Sequence, residues 1–361
     1  MKRRSFIKHV ASGSLVGGAA IAAPALASTL PQVTWRLASS FPRSSGLYDG
    51  AVNMAKYIED VTEGKFRIRV FPGGELLPAL SVLDGVSDGS IECGHSASYY
   101  YYGKDPVLSF DSAVPFGLNV RQQNAWIWGA GGLEVLREVF ADHNVVNFPL
   151  GTTGTQMGGW FRKEINDVDD LNGLKFRVTA FAGTVLQKLG VVPQQVAGGD
   201  IYPALERGTI DGAEWVGPFD DERQGFHRVA PYYYFPGWWE ATAQVSLYVN
   251  QSEYDKLPDP YKRLIQVTSM AATEQMIATY DAENPNAMKR LISEGAKLRR
   301  LPTSVMDASY EAAEQLYSEL RTDKRFDKVY QHYMSFRDLS ISYMRTSEQS
   351  YDRYMAGKID L

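Results

Sequence analysis

The chain has 361 residues, 44% of them apolar, a formal net charge of −5 and a single cysteine. That length suffices for two domains of ordinary size. The acidic balance argues against nucleic acid, which requires a basic face, and one cysteine excludes an intrachain disulfide.

The first residues read as an export signal. Lys2-Arg3-Arg4 followed by Ser5-Phe6-Ile7-Lys8 forms a twin-arginine pattern. A mildly apolar Gly/Ala-rich segment follows, and Ala25-Leu26-Ala27 fits the small-residue cleavage rule. The apolar run is short and broken by Ser12, Ser14 and Gly17. The pattern therefore predicts a cleaved signal peptide over 1–27, not a membrane anchor, and export to the periplasm by the twin-arginine pathway. Removing the four bases Lys2, Arg3, Arg4 and Lys8 leaves 33 basic against 42 acidic side chains, a formal net of −9. An anionic ligand is still allowed, because binding depends on the local field.

Residues 33–39 alternate like a strand, and Ser44-Ser45-Gly46 caps a helix whose apolar positions are Ala51, Met54, Ala55, Ile58 and Val61. A strand over 65–70, a helix over 76–86 and a strand over 91–98 follow. Strand, helix, strand, helix, strand is the signature of a parallel α/β sheet. The tyrosine run 99–102 comes just after the third strand, where open sheets place ligands. Residues 119–140 read as helix interrupted at Gly129-Ala130-Gly131-Gly132.

Strands are expected over 145–151, 156–162, 174–178, 210–215 and 242–250. Helices are expected over 182–189 and 201–207, the latter capped by Asp200. Beyond residue 252 the pattern is helical: 258–283 and 286–294, separated at Pro285, then 304–346, which lacks Pro and Gly. Leu316, Leu320, Phe326, Val329 and Tyr333 mark the buried side of that last stretch, with a break near Thr322-Asp323. The organisation expected is an α/β domain over 28–150 to which part of the later chain returns, a second α/β domain over 151–250, and a helical region over 251–361. Its long helix can bridge the domains or pair with a second subunit.

Three charged residues carry the chemistry. Arg177 lies at the end of an apolar strand; its guanidinium fork suits a carboxylate, or it pairs with Asp170 or Asp211 at the surface. Glu214 precedes Trp215, and Glu240 follows Trp238-Trp239. Two carboxylates in apolar surroundings resist ionisation. Either each has its own salt bridge, or one is protonated, or a hard cation sits between them, helped by the Gln156 amide and the Trp215 carbonyl. Cys93 reads as a small buried residue, with a catalytic thiol as the alternative. The five histidines show no zinc-site spacing, and no Gly-x-Ser-x-Gly or phosphate-loop motif occurs. Glu214 and Glu240 also fit the carboxylate pair of a secreted glycoside hydrolase.

The segments Phe71-Pro72-Gly73-Gly74-Glu75-Leu76, Asp170-Leu171-Asn172-Gly173-Leu174-Lys175-Phe176-Arg177 and Tyr202-Pro203-Ala204-Leu205-Glu206-Arg207-Gly208-Thr209-Ile210-Asp211-Gly212 resemble the solute-binding subunits of tripartite ATP-independent periplasmic (TRAP) transporters. Gln156, Arg177, Glu214-Trp215 and Glu240 are most like the branch that binds 2-oxocarboxylates. The resemblance implies a two-domain periplasmic-binding-protein fold with an interdomain cleft, hinge crossings and a long C-terminal helix. It implies that Arg177 grips the carboxylate of a pyruvate-like ligand. It implies a sodium ion on Gln156, Glu214, the Trp215 carbonyl and Glu240, with Tyr100 and Trp215 shielding the ligand. Calcium with lactate or another hydroxy acid is the alternative. It further implies a homodimer and delivery to small and large membrane permease subunits, without catalysis. A sensing subunit for a receptor kinase is a further class.

Overall fold

The structure, a computed structural model, describes residues 30–358. The signal peptide expected over 1–27 lies outside the described residues. The chain begins with β1 (Val33–Ser39), α1 (Gly46–Val61), β2 (Phe66–Phe71), α2 (Val82–Ser87) and β3 (Cys93–Ser96). The Ser45 hydroxyl accepts from Leu47 N at 3.2 Å and so caps α1. Ala51, Met54, Ala55 and Ile58 face the core, while Val61, at the frayed end, is exposed. The helix expected over 76–86 is shorter than its pattern. Pro78 disfavours helix at the residue before it, and turn bonds from Gly74 N to Leu77 O and from Ser81 N to Pro78 O occupy its first half.

Next come α3 (Ser109–Ser112), α4 (Val120–Gly129), α5 (Gly132–Ala141) and β4 (Val145–Thr152). The chain then enters a second sheet through β5 (Gly159–Phe161), β6 (Lys175–Arg177), α6 (Ala180–Gln187), β7 (Val192–Gln194), α7 (Ile201–Arg207), β8 (Gly212–Ala213), α8 (Pro218–Gln224) and β9 (Tyr232–Phe235). It returns as β10 (Gln244–Asn250), α9 (Gln251–Asp255) and α10 (Asp259–Ser293), adds β11 (Lys297–Arg300), and ends in α11 (Thr303–Leu320), α12 (Lys324–Thr346) and α13 (Glu348–Ala356).

The first sheet has the order β2-β1-β3-β10-β4, with β10 antiparallel to both neighbours. The second has the order β11-β9-β5-β8-β6-β7, with β6 parallel to β7 and β8. The molecule is thus a two-lobed α/β fold. β10 belongs to the first sheet and β11 to the second, so neither lobe is one continuous stretch. β7, β9, β11 and α8 were not foreseen. β7 contains Pro193, which an edge strand tolerates, and β11 is exposed along its whole length, so neither alternates.

Residues 259–293 form one continuous helix through Pro285, not two. Its first half packs on α1 and β4. Its second half is tied to α8 by bidentate Arg290–Glu222 bonds of 2.7 Å and by Phe219 N donating to Asn284 Oδ1 at 3.0 Å. Packing on both sides of Pro285 outweighs the one backbone bond it removes. Asp200 sits at the amino end of α7 but makes no side-chain cap bond. The break between α11 and α12 falls at 321–323, where the Asp323 side chain accepts from Arg325 N and Phe326 N. Leu316, Phe326, Val329 and Tyr333 are buried, and Leu320 is half-buried. Among the described residues no helix is long and apolar enough to cross a membrane.

Candidate functional site

The two short segments that cross between the sheets are zipped together. Gln156 N donates to Glu240 O and Gly237 N donates to Gln156 O, both at 3.1 Å. Only glycine fits this approach at 237, since a Cβ there would stand 2.6 Å from Met157 O. The expected strand over 156–162 is therefore shorter. Gln156 lies in the crossing, its backbone committed to Glu240 instead of to the sheet.

Arg177 ends β6. Its side chain is buried, whereas Lys175 on the same strand face is exposed. Nη1 donates to Glu214 O at 2.6 Å and to Glu214 Oε2 at 2.7 Å, and Nε donates to Val196 O at 3.1 Å. The guanidinium carbon lies 5.2 Å from the Trp215 ring centroid, a cation–π arrangement. Burial opposes the Arg177 charge, but Glu214, Tyr100, Tyr99 and Glu240 outweigh it and hold the pKa above its ordinary value. The surface alternative does not occur. Asp170 accepts from Asn166 N at 2.7 Å, and Asp211 accepts from Lys175 N at 3.0 Å.

Glu214 and Glu240 are each 1% exposed. Burial pushes Glu214 up to about 7, against the pull of Arg177 and with a small push from Asp221. Burial raises Glu240 well above the carboxylate range, and the charge of Glu214 raises it further, while Arg177, Thr179 and Tyr99 oppose. Tyr99 Oη donates to Glu240 Oε2 at 3.3 Å. Glu214 has a salt bridge of its own, with Arg177. Glu240 has none among the described residues.

Three buried oxygens stand out. Gln156 Oε1, Glu214 Oε1 and Glu240 Oε1 accept no hydrogen bond among the described residues. The Gln156 amide nitrogen donates to Thr153 Oγ1 at 3.3 Å, which leaves its oxygen as the uncommitted end. An unsatisfied buried acceptor costs about 1–3 kcal/mol, more when charged. Carboxylate and amide oxygens are the donor types that hard cations take. The residues either side of Trp215 are pinned: Glu214 N donates to Arg177 O at 2.9 Å, and Val216 N donates to Asp221 Oδ1 at 3.2 Å. Among the described residues no three of His, Cys, Asp and Glu converge, so a cation here needs amide and backbone oxygens as well as the glutamates.

Tyr99, Tyr100 and Trp215 lie beside the charged groups, and Trp238 and Trp239 line an apolar pocket with Phe161 and Phe176. The Tyr99 and Tyr100 centroids are 5.2 Å apart, and those of Trp238 and Trp239 are 4.9 Å apart. Trp238 stacks on Phe116 at 5.0 Å. Gln195 Nε2 reaches across from the second lobe to Tyr100 O at 2.9 Å. A cleft of about 630 Å³ opens between the lobes, with Ser40, Pro42 and Gly73 on one wall and Gln195, Val196 and Gly198 on the other.

The structure thus brings together Tyr100, Gln156, Arg177, Glu214, Trp215 and Glu240. The sequence reading had Tyr99, which touches Glu240, only as one of the run 99–102, and it missed Thr179, which adjoins Glu214 and Glu240. Thr179 follows Arg177 by two residues, and that alternation was the available signal. Cys93 is buried, and burial raises its thiol well above the ordinary value, which makes it inert. His95, also buried, is lowered to about 4 by desolvation and is neutral.

Two α/β lobes joined by crossing segments, with a guanidinium, two carboxylates and aromatic rings buried where they meet, define a solute-binding protein of the periplasmic type. Residues 37–323 match the bacterial extracellular solute-binding protein family 7, and the chain belongs to this family of TRAP transporter solute-binding proteins. A monocarboxylate 2-oxoacid-binding periplasmic protein from Nostoc is 42% identical over 359 residues, covering 98% of this chain and 99% of the relative. A TRAP transporter solute-binding protein from Bordetella bronchiseptica, a mixed-occupancy dimer with copurified calcium and picolinate, superposes with a TM-score of 0.89 at 46% identity, covering 91% of this chain and 98% of that one. A TRAP periplasmic solute-binding protein from Pseudoalteromonas atlantica with bound sodium and pyruvate superposes with a TM-score of 0.86 at 39% identity, covering 89% and 99%.

Proposed function

We propose that the chain binds a small 2-oxo monocarboxylate of the pyruvate class together with a hard cation, sodium in the first instance, and delivers it to the membrane permease subunits of a TRAP transporter without chemical change. The observation that carries this reading is the set of uncommitted buried oxygens, Gln156 Oε1, Glu214 Oε1 and Glu240 Oε1, next to Arg177. Those oxygens, with the Trp215 carbonyl, would hold the cation, and it would supply a positive charge to the ligand oxygens. Arg177 holds the ligand carboxylate. Tyr100 and Trp215 exclude water and limit ligand length.

A charge count favours calcium as a second reading. Two carboxylates, one guanidinium and one ligand carboxylate leave two negative charges in a buried site. Calcium neutralises both. Sodium leaves one, which a proton on Glu240 would offset, in keeping with its raised pKa. The calcium in the Bordetella relative points the same way.

The leader residues 2–8 support export by the twin-arginine pathway. The exposed rings and Leu339 on α12 and α13 support pairing of two copies.

The test is calorimetric titration with pyruvate after chelation, in sodium, in calcium and in a bulky organic cation. Binding is expected only with a metal ion. Equal affinity in the organic cation, or turnover of a glycoside lost in Glu214→Gln, would overturn the reading.

A further inference from the structure

Two adjacent buried acids at the start of α8 face opposite ways. Asp220 and Asp221 are 0% and 1% exposed. Asp221 points into its own lobe, where its carboxylate accepts from Trp160 Nε1 at 2.9 Å, Tyr233 Oη at 2.7 Å and Val216 N at 3.2 Å. Val216 O in turn accepts from Met157 N at 3.1 Å, next to Gln156. Asp221 thus fixes α8 rigidly to the Glu214-Trp215 strand end.

Asp220 points the other way, into the first lobe. Its carboxylate accepts from Gly46 N at 2.8 Å and Ser45 Oγ at 2.9 Å, both at the amino end of α1, and from Tyr280 Oη of α10 at 2.8 Å. A carboxylate at the amino end of a 16-residue helix is favoured by the exposed N–H groups and the helix dipole. The approach is close at Gly46, where a Cβ would stand 3.0 Å from Tyr280 Oη. Gln224 Nε2 adds a bond to Ser44 Oγ at 3.1 Å, from the far end of α8 to the same loop. The two acids therefore join, through one helical turn, the ligand-facing strand end of one lobe to the helix start of the other.

We propose that Asp220 is the positioning residue that latches the two lobes together, so that it sets how long a ligand stays bound rather than how fast it is captured. Capture requires only diffusion into an open cleft. Release requires the lobes to part, and that draws Asp220 away from Ser45 and Gly46 at the start of α1. Differences in affinity within one interface fall mostly on dissociation, and a contact made in only one of two states shifts the population by the free energy of that contact. The ligand used to read dissociation rests on the function proposed above; the latch itself does not.

Stopped-flow tryptophan fluorescence with pyruvate and sodium measures both rates, and small-angle scattering of the ligand-free protein measures closure independently. Asp220→Ala is expected to raise the dissociation rate on the order of tenfold, with association changed less than about threefold, and to enlarge the ligand-free radius of gyration. Asp220→Asn, which keeps an acceptor, is expected to fall between. Should Asp220→Ala fail to fold, Ser45→Ala and Gln224→Ala are expected to raise dissociation in the same direction by less. Unchanged dissociation and unchanged radius in folded variants would overturn the latch. An effect confined to melting temperature would reduce Asp220 to a structural residue. If wild-type protein ignores pyruvate, the functional reading falls, and scattering alone decides the latch.

Discussion

One nitrogen of Arg177 meets both ends of Glu214: Nη1 lies 2.6 Å from its carbonyl oxygen and 2.7 Å from Oε2. The guanidinium is thereby held in register with the strand end that also presents Trp215 and the uncommitted Glu214 Oε1. Fixing the donor before the ligand arrives lowers the entropy lost on binding.

Arg177 is expected to dominate affinity. Truncating one partner of a buried charge pair costs about 2–5 kcal/mol, so Arg177→Ala should weaken pyruvate by about 30-fold or more. Arg177→Lys retains the charge without the planar fork and should recover only part of it. Calorimetry at fixed sodium reads the effect, and an Arg177→Ala affinity within threefold of wild type would reject the carboxylate grip.

Glu240 is expected to choose the metal. Glu240→Gln keeps an oxygen in place and removes one negative charge, so the site should then need one positive charge fewer. The ratio of pyruvate affinity in calcium to that in sodium is expected to fall at least tenfold. A ratio that stays put would mean that Glu240 does not face the cation.

The fold was legible where elements are long or half-buried. α1 announced itself by its capping serine and four core positions, and the α11–α12 break by its Thr-Asp pair. Pro285 misled, because a helix clamped on both sides overrides local chemistry. β9 and β11 were illegible for different reasons: the first is a short uniform aromatic run, the second an exposed edge. Arg177, Glu214 and Glu240 stood out as charges embedded in apolar sequence, and the structure gathers them. Tyr99 could not be separated from the tyrosines beside it, since what distinguishes it is its contact with Glu240 in a crossing segment. That depends on contacts between distant parts of the chain.

The buried acids predict an inverted pH dependence for the metal-free protein. Glu214 and Asp221 are raised to about 7, and Glu240 moves the same way. A carboxylate whose folded pKa exceeds its unfolded value binds more protons when folded. Its contribution to stability is complete below the unfolded pKa of about 4.3 and is lost as pH rises through the folded value. The chelated protein should therefore melt lower at pH 8 than at pH 5.5, and Glu214→Gln should reduce that difference. A cation competes with those protons, so its affinity should rise across the same window. Scanning fluorimetry with and without calcium checks both signs; a chelated protein most stable at pH 8 would contradict them.

The end of the chain makes the last prediction. α12 begins in the core, with Phe326, Val329 and Tyr333 buried against the first lobe, and Trp126 Nε1 donating to His332 Nδ1 at 2.9 Å. Ten residues further on, Met344 on the inner face of the same helix is still buried, while the outer face is exposed. Leu339 is 73% exposed and Tyr343 65%, and on α13 Tyr351 and Tyr354 are 65% and 63% exposed. Scattered surface apolar residues are ordinary, but several on one terminal segment are the pattern expected of a contact surface. A second copy of the chain is the occupant proposed above, since a symmetric pairing would bury both segments at once. Wild-type protein is expected to sediment as a dimer and Leu339→Arg combined with Tyr343→Arg as a folded monomer. The pair lies away from the cleft, so pyruvate affinity should be retained. A double variant that still dimerises would place the contact elsewhere, and one that loses the ligand along with the dimer would tie the site to the partner copy.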